Sequence, residues 1–375
     1  MKPVCVQHKG GIGGKTAEKS GAAEKAEVLQ PGYRQCVSAG REGGIKTGAG
    51  KPEKKAARGI NRKYDGYSRT KQRQCITAEH ARGAAEKYAK KFSNHFSILA
   101  YAKLPANLGS MNTVADIMRI LDGEFPPRLA ETWDRVGLTA GDPAQPVTRV
   151  GFAVDPCEAT VEEAVSRGAQ MLVTHHPLYL RGTSSVAAVT GKGRWIQRLI
   201  KADCALFSAH TNADAAARGS ATALADLLRL ENRRPLSPNP DYPQLGIGKI
   251  GELPVTMSVE ELARRLKALL PETQPGILIG GDPGRIVRTV ALSPGAGDSF
   301  LDAVSLSGAD VYITADLRHH RATDHLWNGG CALISVTHFA SEWPVLKNME
   351  RAVKDALQVQ TYVSAIVTDP WTQRV

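Results

Sequence analysis

The residues of this 375-residue chain best suited to chemistry are histidines and carboxylates. His175-His176-Pro177 follows the apolar run Met171-Leu172-Val173, so two imidazoles leave the carboxyl end of a short strand. Adjacent side chains on an extended backbone point opposite ways. The pair is therefore expected to serve two neighbouring ions, one ligand each. His210 and Asp214 form a His–carboxylate pair four residues apart, and His338 and Glu342 form another. Together, His175, His176, Asp214, His338 and Glu342 supply three imidazoles and two carboxylates. This N/O-rich set suits two divalent ions, Zn²⁺, Mn²⁺, Fe²⁺ or Co²⁺, and not thiolate-preferring Cu(I). Two such ions about 3.5–4 Å apart activate water and clamp a developing negative charge.

Plainer readings stand beside this one. A lone His-His pair is ordinary surface or core histidine, and His338 with Glu342 also fits an i,i+4 helix pair. His210 ends a strand but is one residue out of register with His338, so it is expected to orient a ligand from behind. His319-His320 opens a helix. His319 is expected at most to support a ligand or line the pocket, with a solvated helix face as the alternative. The general acid or base is not assigned by these residues.

Other motifs carry less. Gly246-Ile247-Gly248-Lys249-Ile250-Gly251 matches the letters GxGxxG, but prolines precede it and no helix opens after it, so a Gly-rich edge strand or loop is expected. Gly14-Lys15-Thr16 lacks the first glycine of a P-loop. There is no GxSxG nucleophile elbow. The six cysteines show no CxxC spacing and read as reduced thiols.

These residues need elements to hold them, and the pattern supplies an α/β class. Short apolar segments at Val150–Val154, Met171–Val173, Ala205–Phe207, Val287–Leu292, Val311–Ile313, Ala332–Val336 and Tyr362–Val367 read as strands. Helical spacing fills the intervals, as at Arg194–Lys201, Ala221–Leu230, Val259–Leu270 and Val345–Leu357. The chain also matches itself. Gly168–Thr174 (GAQMLVT) aligns with Gly308–Thr314 (GADVYIT) at an offset of 140, and Cys204–Ser208 (CALFS) aligns with Cys331–Ser335 (CALIS) at 127. The two His–carboxylate pairs follow the ends of these copies. Two similar α/β halves from an internal duplication are expected, with the site beyond the carboxyl ends of their strands. The expected organisation is a first half at 111–235, a connecting segment at 236–285 and a second half at 286–375.

The first third differs. Residues 1–110 hold 22 Lys and Arg against 8 Asp and Glu, whereas the remainder is slightly acidic. Gly-, Ala-, Lys- and Glu-rich stretches without apolar periodicity predict a disordered extension. A basic arm for an anionic surface is the functional alternative, and Met111, followed at once by a patterned helix, reads as an alternative first residue. Nucleic acid is not an expected partner. No apolar run is long enough for a membrane span and no signal-peptide h-region opens the chain, so a cytoplasmic location is expected.

Five motifs in order carry a resemblance: Trp133-Asp134 with Val136-Gly137-Leu138, Gly141-Asp142-Pro143, Thr174-His175-His176-Pro177-Leu178, His210-Thr211-Asn212 with Asp214, and His338 with Ser341-Glu342. From about Met111 to the carboxyl end the chain resembles the NIF-three-like family, also known as GTP cyclohydrolase I type 2 homologues or dinuclear metal centre hexameric proteins. The resemblance implies a two-ion site at His175, His176, Asp214, His338 and Glu342, a ring-shaped homohexamer, and hydrolytic opening of the purine ring of GTP with release of formate. Hydrolysis of a phosphoester or another heterocycle, or a non-catalytic metal-binding hexameric scaffold, are the alternatives. The stretch Arg234–Arg285 is too short for the inserted domain that some members carry. Ala315 and Thr337 stand where the family often has Gly, and Arg135 where it often has Asn, which touches the choice of small-molecule or nucleotide substrate more than metal binding.

Overall fold

The structure, a computed structural model, describes residues 111–375. The expected disordered extension at 1–110, with Cys5, Cys36 and Cys75, lies outside the described residues. The described chain runs α1 (Val114–Glu124), β1 (Gly137–Ala140), β2 (Arg149–Ala153), α2 (Glu158–Ser166), β3 (Met171–Thr174), α3 (Gly191–Lys201), β4 (Ala205–Ser208), α4 (Thr211–Ala215) and α5 (Ser220–Leu228). A hairpin, β5 (Glu231–Pro238) and β6 (Gly246–Ser258), leads to α6 (Val259–Leu269), β7 (Leu278–Gly280), β8 (Ile286–Ala296), α7 (Leu301–Ser307), β9 (Val311–Ala315), α8 (His319–Trp327), β10 (Ala332–Ser335), α9 (His338–Glu342), α10 (Val345–Ala356) and β11 (Gln360–Val363).

The duplication is visible in strand register. In the first sheet, order β1-β4-β3-β2-β11, Val150 pairs with Met171 and Met171 with Ala205, all parallel. In the second, order β5-β6-β8-β9-β10-β7, Val290 pairs with Val311 and Val311 with Ala332, also parallel. Each sheet closes with an antiparallel edge, β1 on β4 and β7 on β10. The side chains at strand starts repeat too. Gln170 Oε1 accepts from the N–H groups of Thr148 and Arg149, and Asp310 Oδ2 accepts from those of Arg288 and Thr289.

The repeat reaches further upstream than the sequence matches at 168 and 308. Both α1 and α6 open with a capping box, Thr113 with Asp116 and Ser258 with Glu261, which satisfies otherwise free backbone N–H groups. Each is held by a Gly-Asp-Pro turn, at 141–143 and at 281–283, whose proline carbonyl accepts from the second helical residue (2.9 and 3.0 Å).

Parallel strands covered on both faces need apolar residues on both. Phe152, Met171, Val173 and Phe207 face α1 and α10, while Leu172 and Leu206 face α2 and α3. In the second sheet Val290, Leu292, Val311 and Ile313 face α5 and α6, while Ala291, Tyr312 and Leu333 face α7 and α8. The last helix of each copy thus packs on the other copy's sheet: α5 on the second, α10 on the first. That exchange locks the two sets of strand ends together.

Two local expectations change. The Gly246–Gly251 stretch is a strand, but an interior one, paired antiparallel with both β5 and β8. Its glycines let the strands close in, since a Cβ on Gly248 would lie 2.9 Å from the Leu292 carbonyl. The final strand stops at Val363, where the Ser364 N–H still reaches the Phe152 carbonyl (2.8 Å) before the tail turns away. Among the described residues no helix is long and apolar enough to cross a membrane. Cys204 and Cys331 are free and buried, and burial pushes their thiols up to about 12 and about 11.

Candidate metal centre

The carboxyl ends of β3, β4, β8 and β10 converge on one cavity of about 670 Å³. The β3 strand stops at Thr174, whose hydroxyl donates to the His176 carbonyl (2.7 Å) and curls the chain. His175 and His176 therefore do not point opposite ways as an extended backbone would require. Their ring centroids lie 5.2 Å apart with planes 41° apart, and both rings face the same space.

Each imidazole is held by its Nδ1, which leaves Nε2 turned inward. His175 Nδ1 donates to the Ala209 carbonyl (2.9 Å). His176 bonds to Asp155 (2.7 Å), His210 to Asp134 (2.9 Å), and His338 to Asp316 (2.6 Å). The carboxylates are anchored in turn: Asp134 Oδ2 accepts from the Thr211 N–H (3.0 Å) and hydroxyl, and Asp155 from the Thr368 hydroxyl on the C-terminal tail. This back-hydrogen-bonded arrangement fixes ring orientation in metal sites.

Glu342 sits in the middle, 3% exposed. Its Oε1 lies 3.1 Å from His338 Nε2 and 3.5 Å from His175 Nε2, and its Oε2 lies 3.0 Å from His176 Nε2. Asp214 Oδ1 is 3.6 Å from His175 Nε2 and accepts a hydrogen bond from Ser220. Burial works against charge on Glu342, but the imidazoles of His176, His175 and His338 hold its carboxyl well below the usual range. Burial pulls His176 and His338 down, yet Glu342 together with Asp155 or Asp316 lifts them to about 10 and about 11. Asp214 is pushed up by burial and by Glu342, with His175 only partly offsetting.

The five residues singled out by spacing come together here. His210 joins them: its ring nitrogen and those of His175 and His176 lie within 4.8 Å of one another, so it faces the cavity and does not stand behind a ligand. His176, His338 and Glu342 form a second such group, and either group could hold a metal ion. His319 does not take part. It lies exposed on α8 against His320. Asp134, Asp155 and Asp316 went unrecognised as ring anchors. Asp316 had a signal, because the offset of 140 places it opposite His176.

Gly295, at the end of β8, makes room for the central carboxylate. It adopts φ +72°, and a Cβ there would lie 2.4 Å from Glu342 Oε1. We expect Gly295→Ala to displace Glu342 and to destabilise the protein by about 1–3 kcal/mol, from backbone strain alone. Thermal melting with parallel metal analysis checks this; unchanged values for both would refute it.

The family model described as Duf34/NIF3 (NGG1p interacting factor 3) matches residues 112–370. A Streptomyces coelicolor protein named "GTP cyclohydrolase 1 type 2 homolog" is 47% identical over 272 residues, covering 71% of this chain and 95% of that protein. A Mycobacterium tuberculosis protein of the same name is 31% identical over 366 residues, covering 69% of this chain and 96% of that protein. Among solved structures, a Staphylococcus aureus hypothetical protein superposes with a TM-score of 0.64 at 27% identity, covering 71% of this chain and all of that one. A Bacillus cereus protein related to NIF3 gives 0.65 at 23% identity, covering 70% and 100%, and so shares the fold. With the family match spanning the whole described fold, the chain belongs to the Duf34/NIF3 (NGG1p interacting factor 3) family.

Proposed function

We propose that the protein is a metal-dependent hydrolase with a two-ion centre held by His175, His176, Asp214, His338 and Glu342, acting on a heterocycle as the name of its relatives suggests. One observation carries the reading. His175 Nε2 is a buried polar atom without a hydrogen-bond partner, and Glu342 Oε2, also buried, has only the imidazole of His176 3.0 Å away; both face the same space. Buried groups of this kind are costly unless something satisfies them. A cation does so for an imidazole nitrogen and a carboxylate at once, and the N/O donor set fits Zn²⁺, Mn²⁺, Fe²⁺ or Co²⁺.

Divalent ions bound there supply Lewis acidity, which lowers the pKa of water and neutralises charge developing on oxygen. The chain's own groups do the rest. Asp134 fixes the His210 proton on Nδ1, so Nε2 is free to take a proton from water and return it to the leaving nitrogen. For ring opening, water adds to the carbon between two ring nitrogens, one C–N bond breaks, and that nitrogen gains a proton. A second water releases the carbon as formate.

The full chain loaded with Mn²⁺ or Zn²⁺ is expected to release formate from a purine nucleoside or nucleotide; release of phosphate alone would mark a phosphoesterase, and no turnover of any substrate a non-catalytic scaffold. In the same assay His210→Asn is expected to lose roughly 100-fold or more in kcat while keeping its metal content. Loss of metal from that variant would instead make His210 a ligand and remove its proton-carrying role. The homohexameric ring belongs to the same proposal, and sedimentation of the full chain checks it.

A further inference from the structure

We infer that the cavity above this centre receives a planar aromatic heterocycle carrying at most one anionic group, and that it does not receive a polyphosphate. The inference rests on the hydrolase reading for what happens to the ring, but not for what binds.

The walls carry the first half of the argument. Trp133, Leu180, Ile247 and Phe300 line the cavity above the polar floor. Trp133 is 53% exposed and stands edge-on to His210 with 6.0 Å between centroids. Apolar walls over a few convergent polar groups are the usual build of a small-molecule site, and about 670 Å³ is the size of such a site. Aromatic side chains left open in a wall favour a flat π-system as occupant.

Charge carries the second half. Among the described residues that line the cavity the one permanent cation is Lys192, and none is an arginine. The Lys192 ammonium already donates to the Leu178 carbonyl (2.6 Å), which leaves two of its three N–H groups. Two donors suit one phosphate or carboxylate. Glu131, also in the wall, repels further negative charge. A triphosphate is normally gripped by several Arg or Lys groups or by a row of backbone N–H groups, and charge buried without such partners is strongly disfavoured. If the ring lies over the floor, its polyphosphate tail would meet Trp133, Phe300, Glu131 and one half-committed lysine.

The test compares guanosine, GMP and GTP as probes on the metal-loaded full chain, by calorimetric titration with formate release measured in parallel. We expect GMP to bind as tightly as GTP or more tightly. Lys192→Met should weaken GMP about tenfold and leave guanosine unchanged, and Trp133→Ala should weaken guanosine and GMP alike by about tenfold. Affinity for GTP tenfold or more above that for GMP would overturn the inference, as would failure of all three probes to bind. The two readings fail separately. Binding in the expected order without formate from any probe removes the hydrolase and keeps the substrate class; formate released fastest from GTP does the reverse.

Discussion

Glu342→Ala is expected to leave a protein that purifies without metal under conditions in which the wild type retains it. The carboxylate is nearly inaccessible and lies within 3.0–3.5 Å of three imidazole nitrogens, two from the turn after β3 and one from α9. No other carboxylate in the cavity touches all three. Losing an outer anchor of a metal ligand costs 10–100-fold in affinity, so loss of this central group is expected to cost at least about 100-fold. The ion-free fold suffers as well. Removing one partner of a buried charged cluster typically costs about 3–5 kcal/mol. Glu342→Gln separates the causes, since it keeps the volume and removes the charge. Elemental analysis and thermal melting of the two variants read both effects. Wild-type metal content in either variant would remove Glu342 from the centre, and the two-ion assignment with it.

Acidification is expected to expel the metal steeply, while ion-free protein shows the opposite preference. His176 and His338 hold protons to about pH 10 and about pH 11 when folded and ion-free, against an ordinary value of 6.5. Groups raised in this way stabilise the ion-free fold fully below pH 6.5 and progressively less as pH climbs toward 10 and 11. Glu342, depressed below 4.5, adds stability above that value and loses it as pH falls further. Through these groups, ion-free protein is most stable at about pH 4.5–6.5 and weakens on the alkaline side. Cations need the neutral imidazoles. With His176 and His338 to deprotonate, and His175 raised as well, apparent affinity should rise by about 100-fold or more per pH unit between pH 6 and 8, and two or more protons should be released per binding event. Chelator competition at several pH values, with titrations in buffers of different ionisation enthalpy, measures both. Affinity flat across that range would show that the imidazoles are not the ligands. Melting of ion-free protein at pH 6, 8 and 10 checks the reverse trend.

Much of the fold could be read in advance because its signals are local. Short apolar runs marked most strands, and matched heptapeptides and pentapeptides made Met171 equivalent to Val311 and Ala205 to Ala332; the ladders pair Met171 with Ala205 and Val311 with Ala332 in the same way. One repeated signal was present and passed over: Gly-Asp-Pro at 141–143 and again at 281–283, which marks the start of each copy. The rule for adjacent side chains misjudged His175 and His176, because it holds only while the strand continues and the chain leaves β3 one residue earlier. His319 was expected at most to support a ligand or line the pocket, with a solvated helix face as the alternative. Its place on the outer face of α8 separates it from the clustered histidines.

Residue type and spacing were enough to single out five side chains that the fold brings together, the two copies and the strand ends that carry them, since their signals are short local patterns. They were not enough to specify which carboxylate backs which imidazole. Asp134 reaches His210 across 76 positions, and Thr368 reaches Asp155 across 213. The first closes when β1 pairs with β4 inside the first copy, and the second when β11 joins β2 at the edge of the first sheet. Hydrogen-bond geometry and exclusion of water then turn scattered polar residues into one centre, and neither exists before the chain has folded.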